Sequence, residues 1–309
     1  MIKKILVTGS NGTIGTRLCE KLLSCGYEVC GADIKPNKWN REIDNLTTIV
    51  DLRRKEDIAK LPKDIDLVIH LAANARVYDL VLDPSLARDN IDMIFNVLEY
   101  CRINKIKKFI FSSSREVYGN SDKIIYKEDD ASFDRSESPY SASKIAGEAL
   151  VRSYHRCFDI DFIILRFSNV YGMYDDSNRV IPLFIKLTKE KKDLEVYGAD
   201  KLLDFTYIDD TVNGVISCIE KFDQTKNDVY NIASNTGIKI IDVAKIIQNV
   251  MGSDNMIFVK ENRTGEVVKF VADISKANKK LGYRPTVNIK DGIQASVRWY
   301  LNFYSSEQT

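Results

Sequence analysis

Eight residues near the start of the chain, Thr8-Gly9-Ser10-Asn11-Gly12-Thr13-Ile14-Gly15, constrain its fold more than any other stretch. They follow Ile5-Leu6-Val7, a wholly apolar run of the kind that forms a parallel strand covered on both faces. A helix-like segment comes next, Thr16 to Ser24, with Leu18, Leu22 and Leu23 on one side. Gly26 closes it, Tyr27 to Ala32 reads as a second strand, and Asp33 stands at that strand's end. The pattern predicts a βαβ unit with a glycine-rich first turn. Such a turn lets backbone approach a pyrophosphate, whose charge the helix N-terminus favours. An aspartate at the end of the second strand accepts hydrogen bonds from both ribose hydroxyls and repels a 2′-phosphate. The pattern therefore predicts NAD rather than NADP, with Lys35 as a weak counter-hint.

Further α/β units follow in order. Thr47 to Val50 is a strand ending at Asp51, placed to meet the adenine end of a dinucleotide. Asp66 to Ala73 is a buried strand ending in small residues; His70 within it reads as a packed histidine. Pro84 opens a long helix through about Cys101. Lys108 to Phe111 is a strand that delivers Ser112-Ser113-Ser114-Arg115-Glu116 to its carboxyl edge, where doubly wound sheets bind ligands. Phe162 to Phe167 is a sixth strand, ending at Ser168-Asn169-Val170-Tyr171-Gly172. Beyond Gly172 the pattern loosens, with a polar loop from Asp175 to Arg179, short strands at Leu194–Tyr197, Phe205–Ile208 and Val229–Ile232, and a helix capped by Asp209-Asp210. The expected fold is α/β. A doubly wound, Rossmann-type NAD-binding domain spans 1–172, with segments near 205–232 returning to it. A smaller α/β C-terminal lobe for substrate spans 173–309.

The 309 residues carry a formal net charge of +1, which gives no bias toward nucleic acid or an anionic membrane. The six cysteines show no CxxC spacing, and with two histidines in the chain no metal site is expected. The first apolar run is too short for a signal peptide or a membrane span. A cytoplasmic protein with free thiols is expected.

Ser138-Pro139-Tyr140-Ser141-Ala142-Ser143-Lys144 reads as a helix start, with Ser138 as cap and Pro139 at the first helical position. Tyr140 and Lys144 are four apart and so share a helix face. An ammonium beside a phenol favours phenolate, which makes Tyr140 a candidate acid/base. Taken alone the pair reads as an ordinary feature of an amphipathic helix.

The ordered set decides. Thr8-Gly-x-x-Gly-x-x-Gly15, Asp33, His70-Leu-Ala-Ala73, Ser112-Ser-Ser114 with Val117-Tyr-Gly119, Tyr140-x-x-x-Lys144 and Arg166-Phe-Ser-Asn169-Val-Tyr-Gly172 resembles the extended short-chain dehydrogenase/reductases. Within them it is most similar to the NAD-dependent nucleotide-sugar epimerases and dehydratases, and Arg263-x-Gly265-Glu266 and Leu281-Gly282-Tyr283-x-Pro285 extend the match. The resemblance implies that NAD lies along Gly9, Asn11, Gly12, Thr13, Ile14, Gly15, Asp33, Asp51, Leu52, Leu71, Ala72, Ala73, Ser112, Tyr140 and Lys144. It implies that Tyr140 deprotonates a sugar 4-hydroxyl, that Lys144 lowers the tyrosine pKa, and that Ser114 bonds the reacting oxygen, with Glu116 beside them. It implies a nucleotide-sugar substrate held by Ser114, Arg115, Asn169, Arg179, Val180, Lys201 and Arg263, and a homodimer. The implied reaction is 4-epimerisation of a UDP-hexose or UDP-uronate. A nucleotide-glucuronate decarboxylase, a 4,6-dehydratase-like enzyme and an inactive NAD-binding regulator are the alternatives.

Three departures from the family pattern bear on substrate. Leu203 stands where an arginine usually grips the second phosphate, so Lys201 is the candidate substitute. Arg115-Glu116 replaces the Asp-Glu of dehydratases and the Ser-Glu of decarboxylases; Arg115 would either meet a substrate carboxylate or, as the default, point to solvent. Phe270 falls where bulk would limit an N-acetyl group.

Overall fold

The computed structural model describes residues 2–306. Its largest sheet has seven strands: β1 (Lys4–Thr8), β2 (Glu28–Asp33), β3 (Thr47–Ile49), β4 (Leu67–His70), β5 (Lys108–Ser114), β6 (Asp161–Phe167) and β7 (Asp228–Ile232). They lie in the order β3-β2-β1-β4-β5-β6-β7, every neighbouring pair parallel. This is the doubly wound α/β fold expected. Alternate side chains of a strand point to opposite faces. Ile5 and Val7 accordingly join one core cluster with Leu18 and Leu22 of α1 (Thr13–Ser24). Leu6 joins the other, with Ile94, Val97 and Leu98 of α2 (Ser85–Ile103) and Val151 of α3 (Pro139–Phe158). Helix α4 (Ile208–Glu220) packs on α1. The strand order reverses between β1 and β4, so the loops leaving those strands diverge and open a crevice at the sheet's carboxyl edge.

His70, at the end of β4, is the packed histidine expected. Its Nδ1 lies 2.8 Å from Thr8 Oγ1. Burial and then the charge of Lys144 push its pKa down to about 3, so the ring stays neutral.

The chain leaves the large sheet after Ser168. Asn169–Tyr171 pairs with Leu202–Tyr207, which also pairs with Gly237–Lys239 and Lys269–Ala272; Ile125–Tyr126 completes this second sheet. The return expected near 205–232 therefore divides. The strand through Phe205 belongs to the second sheet, and β7 and α4 pack with the first. Leu194–Tyr197 pairs separately with Ile257–Lys260.

Asp209 and Asp210 do not cap α4, because Tyr207 is its N-cap and both acids lie in the first turn. Asp209 instead pairs with Arg17 of α1. Asp210 accepts from the Thr286 and Val287 backbone N–H groups and ties the C-terminal segment down. All six cysteines are free, and no helix among the described residues is long and apolar enough to cross a membrane.

Candidate active site

A cleft of about 1050 Å³ runs along the carboxyl edge of the large sheet. The glycine turn forms one end. Gly9 has φ +74°, which a side chain rarely tolerates, and a Cβ there would sit 2.8 Å from Ala72 N. A Cβ on Gly15 would sit 1.9 Å from Gly9 O, so the turn can close only without one. At Gly12 the nearest atom to an added Cβ is Gly9 O, at 3.4 Å. Helix α1 starts at this turn with no side-chain cap and no acid in its first turn. Its first N–H groups are therefore free to meet an anion.

Asp33, at the end of β2, accepts from the backbone N–H of Asn11 at 3.0 Å and of Lys35 at 3.1 Å. These bonds aim its carboxylate, although burial holds its pKa above the usual range. Asp51, Leu52, Leu71, Ala72 and Ala73 line the same stretch, and Asp51 bonds the Arg53 guanidinium at 2.7 Å. A pyrophosphate fits the bare glycine backbone and uncapped helix, and a ribose fits the oriented carboxylate. The residues present suit a dinucleotide.

The other end of the cleft is built on β5 and α3. Ser138 Oγ accepts from Ser141 N–H at 3.2 Å and Ser141 Oγ from Ser138 N–H at 3.0 Å, so the helix starts with a reciprocal cap one residue before Pro139. Tyr140 and Lys144 thereby face β5. Lys144 Nζ donates to Ser112 O at 2.8 Å and lies 5.8 Å from the centre of the Tyr140 ring. Burial lowers the Lys144 pKa to about 8. Tyr140 is buried as well, and desolvation pushes its phenol up, against the opposing pull of Ser114, Arg179 and Arg115. In this state burial outweighs the charges around the ring.

Two further expectations change. Arg115 does not point to solvent. It is 8% exposed, its Nη2 lies 2.8 Å from Glu116 Oε1, its Nε donates to Asn169 Oδ1 at 3.3 Å, and its guanidinium lies over the Phe270 ring at 5.9 Å. Phe270 is fully buried in a cluster with the rings of Tyr118 and Tyr126, so its bulk supports Arg115 rather than bounding the cleft. Lys201 lines the cleft but is buried and donates to Glu266; Leu203 beside it is buried too.

Asn169 donates to Asp204 O at 2.9 Å. Arg179 occupies the N-cap position of the Val180–Lys189 helix without a side-chain cap, and its guanidinium sits 3.7 Å from Asp175. Arg263 is held between the rings of Tyr197 at 4.0 Å and Tyr78 at 5.0 Å. Glu266, Tyr78 and Tyr197 also line the cleft, beyond the residues expected from the sequence. Glu266 closes the Arg263-x-Gly265-Glu266 motif, which is the signal that could have marked it. Nothing local marks Tyr78, which meets Arg263 across 185 residues of sequence (263 − 78).

A doubly wound sheet with a glycine turn at its switch point, and a buried tyrosine, lysine and serine farther along the same cleft, defines a dinucleotide-dependent enzyme acting on a hydroxyl or carbonyl. The comparisons narrow the class. Residues 5–233 match the model of the NAD-dependent epimerase/dehydratase family, and the chain belongs to that family. It is 32% identical to the uncharacterized UDP-glucose epimerase YtcB of Bacillus subtilis over 98% of this chain and all of that one. The structure of UDP-glucuronic acid 4-epimerase from Bacillus cereus, in complex with UDP-glucuronic acid and NAD, superposes with a TM-score of 0.90 at 32% identity, covering 97% of this chain and 100% of that one. A UDP-N-acetylglucosamine 4-epimerase from Methanobrevibacter ruminantium, in complex with UDP-N-acetylmuramic acid, superposes at 0.88 with 30% identity, covering 98% and 99%.

Proposed function

We propose that the protein is an NAD-dependent UDP-sugar 4-epimerase, with Tyr140 as its acid/base. The observation that carries the reading is the convergence of Tyr140, Lys144 and Ser114 in the same cleft as the glycine turn and Asp33. NAD, when bound, would supply an acceptor and donor of hydride. Gly9, Gly12, Gly15 and the start of α1 hold its pyrophosphate, Asp33 a ribose, and Lys144 the end nearest Tyr140. Tyr140 Oη takes the proton of the sugar 4-hydroxyl and returns it after the 4-keto sugar has presented its other face. Ser114 Oγ holds the reacting oxygen, and the Lys144 ammonium supports negative charge on Tyr140. Arg263, Arg179 and the first N–H groups of the Val180–Lys189 helix hold the diphosphate.

Incubation with UDP-glucose, UDP-galactose and UDP-glucuronate, followed by NMR, tests the reaction. Interconversion at C4 is expected; release of carbon dioxide or a pentose from a uronate, or loss of water from a hexose, would replace the reading with a lyase.

Asp33 gives a second prediction. A hydrogen bond to a charged group contributes about 1.5–3 kcal/mol. Asp33→Ala should therefore weaken NAD binding roughly 10–100-fold, leaving NADP less affected. Competition titration of the two cofactors measures this, and a wild-type preference for NADP overturns it.

A further inference from the structure

Tyr174 to Arg179 line the cleft, and the chain there is fastened on three sides. Toward the glycine turn, Thr13 Oγ1 donates to Tyr174 O at 2.9 Å, and Tyr174 Oη donates to Glu20 of α1 at 2.8 Å. Toward the chain that follows Asp33, Lys38 Nζ pairs with Asp176 at 2.6 Å, and the Trp39 ring meets that of Tyr174 at 6.1 Å between centres. Toward the end of the chain, Tyr300 Oη donates to the Asp175 carbonyl at 2.5 Å. Trp299, on the same Ile289–Ser306 helix, stands edge-on to Tyr174 at 5.2 Å and to Trp39 at 5.3 Å, so the three rings close a triangle. Tyr174 has φ +66°, a left-handed conformation that a bulky residue keeps only where its surroundings impose it.

The stretch of cleft that suits a pyrophosphate and a ribose is bounded by the start of α1, at Thr13, and by Asp33. Tyr174 is seated on the first and is tied through Trp39 to the chain leaving the second. Trp39 and Tyr174 line the cleft, whereas Trp299 and Tyr300 do not. The C-terminal helix thus ties two walls of the cofactor stretch together without entering it. The rings outweigh the ion pair in this tie. Lys38 and Asp176 are both at least half-exposed, and an exposed pair contributes little. Aromatic pairs contribute beyond the area they bury. In a reaction that takes hydride and returns it, the cofactor is regenerated in every cycle and has no need to leave.

We propose that Trp39, Tyr174 and Trp299 form an aromatic clasp that retains NAD, with Trp299 a positioning residue that acts on the cofactor only through the other two rings. This rests on the NAD-dependent reading above and adds how the cofactor is kept between turnovers.

The test is the release of labelled NAD from the loaded full-length protein during a chase with excess unlabelled NAD. Trp299→Ala removes two ring pairs of the triangle and should accelerate release roughly tenfold or more. Trp299→Phe keeps a ring and should stay within about threefold of wild type. Lys38→Met removes only the exposed ion pair and should change release less than about fivefold. Trp39→Ala should accelerate release by a factor similar to that of Trp299→Ala. The double variant should release NAD little faster than either single one, because both lose the same contact. Factors that multiply in the double variant would mean that Trp39 holds NAD by itself, and would overturn the clasp. An unchanged release rate in Trp299→Ala overturns it as well, as does a Trp299→Phe protein that releases NAD as fast as Trp299→Ala. Trp299→Leu, which keeps an apolar side chain against the core, gives the same comparison should the alanine variant not fold. A wild-type protein that binds no NAD overturns both the clasp and the NAD-dependent reading. If release behaves as expected and UDP-sugars are not epimerised, the epimerase reading fails while the clasp stands.

Discussion

Tyr140→Phe should reduce epimerase turnover by about 10²–10⁴-fold, the usual contribution of a positioned acid/base, while NAD remains bound. The two halves of this outcome come from different parts of the cleft. The glycine turn, Asp33 and the start of α1 are built without Tyr140, so removing its hydroxyl leaves them intact. The ring stays in place because it packs with Leu80 and Ala87 in a small apolar cluster that does not involve the hydroxyl. What is lost is the one atom that can move the 4-hydroxyl proton. Turnover by NMR, together with the NAD released on denaturing the variant, checks both halves. A Tyr140→Phe enzyme within about threefold of wild type would sink the mechanism, since general acid/base catalysis contributes far more. Loss of NAD from the variant would show instead that the tyrosine is a binding residue.

The parts of this site that were legible in the sequence are those whose cause is local. The turn from Gly9 to Gly15 needs glycines for steric reasons contained within about eight residues and the Ala72 backbone. The start of α3 is set by Ser138, Pro139 and Ser141, which sit side by side. Six strands of the large sheet read as strands in chain order, several of them as apolar runs, and β7 read as a strand whose place was expected only by return. The failures are nonlocal. The burial of Arg115 depends on Glu116, on Asn169 from the chain after β6, and on Phe270 from a strand a hundred residues beyond, so no window of sequence contains the reason. Ile125–Tyr126 and Gly237–Lys239 are too short to show a period of two, and they are strands only because the Lys269–Ala272 and Leu202–Tyr207 segments offer them an edge. Tyr140 itself shows the same limit in energetic form. Its spacing from Lys144 was visible, but the burial that raises its pKa belongs to the assembled cleft.

Glu148→Ala should destabilise the protein by about 3–5 kcal/mol, the cost of leaving a buried charge without its partner. Arg166 of β6 makes a two-point bond to Glu148 of α3, Nε to Oε1 at 2.9 Å and Nη2 to Oε2 at 2.8 Å. Its remaining nitrogen, Nη1, donates to Tyr118 Oη at 3.2 Å and to the Glu128 carbonyl at 2.6 Å. Ser113 of β5 donates to Glu148 at 2.6 Å, and Tyr118 passes the network on to Asn231 of β7. One carboxylate thus ties the helix carrying Tyr140 to the sheet, and its removal leaves both the guanidinium and the Ser113 hydroxyl unanswered. Equilibrium urea unfolding of the NAD-loaded protein measures the loss. A loss under about 1 kcal/mol would mean that the pair behaves like an exposed one. The double variant Glu148→Leu with Arg166→Met, which removes both charges, should recover most of the stability, because replacing both ions by apolar side chains of similar volume is often neutral. It should not recover full activity. The Glu148 charge raises the Lys144 pKa against the burial that holds it near 8, so without it the lysine loses more of its charge at neutral pH. Stability restored with the alkaline limb of the pH–rate profile shifted down in pH is therefore the expected pair of results, and it separates the structural work of Glu148 from its effect on the Tyr140–Lys144 pair.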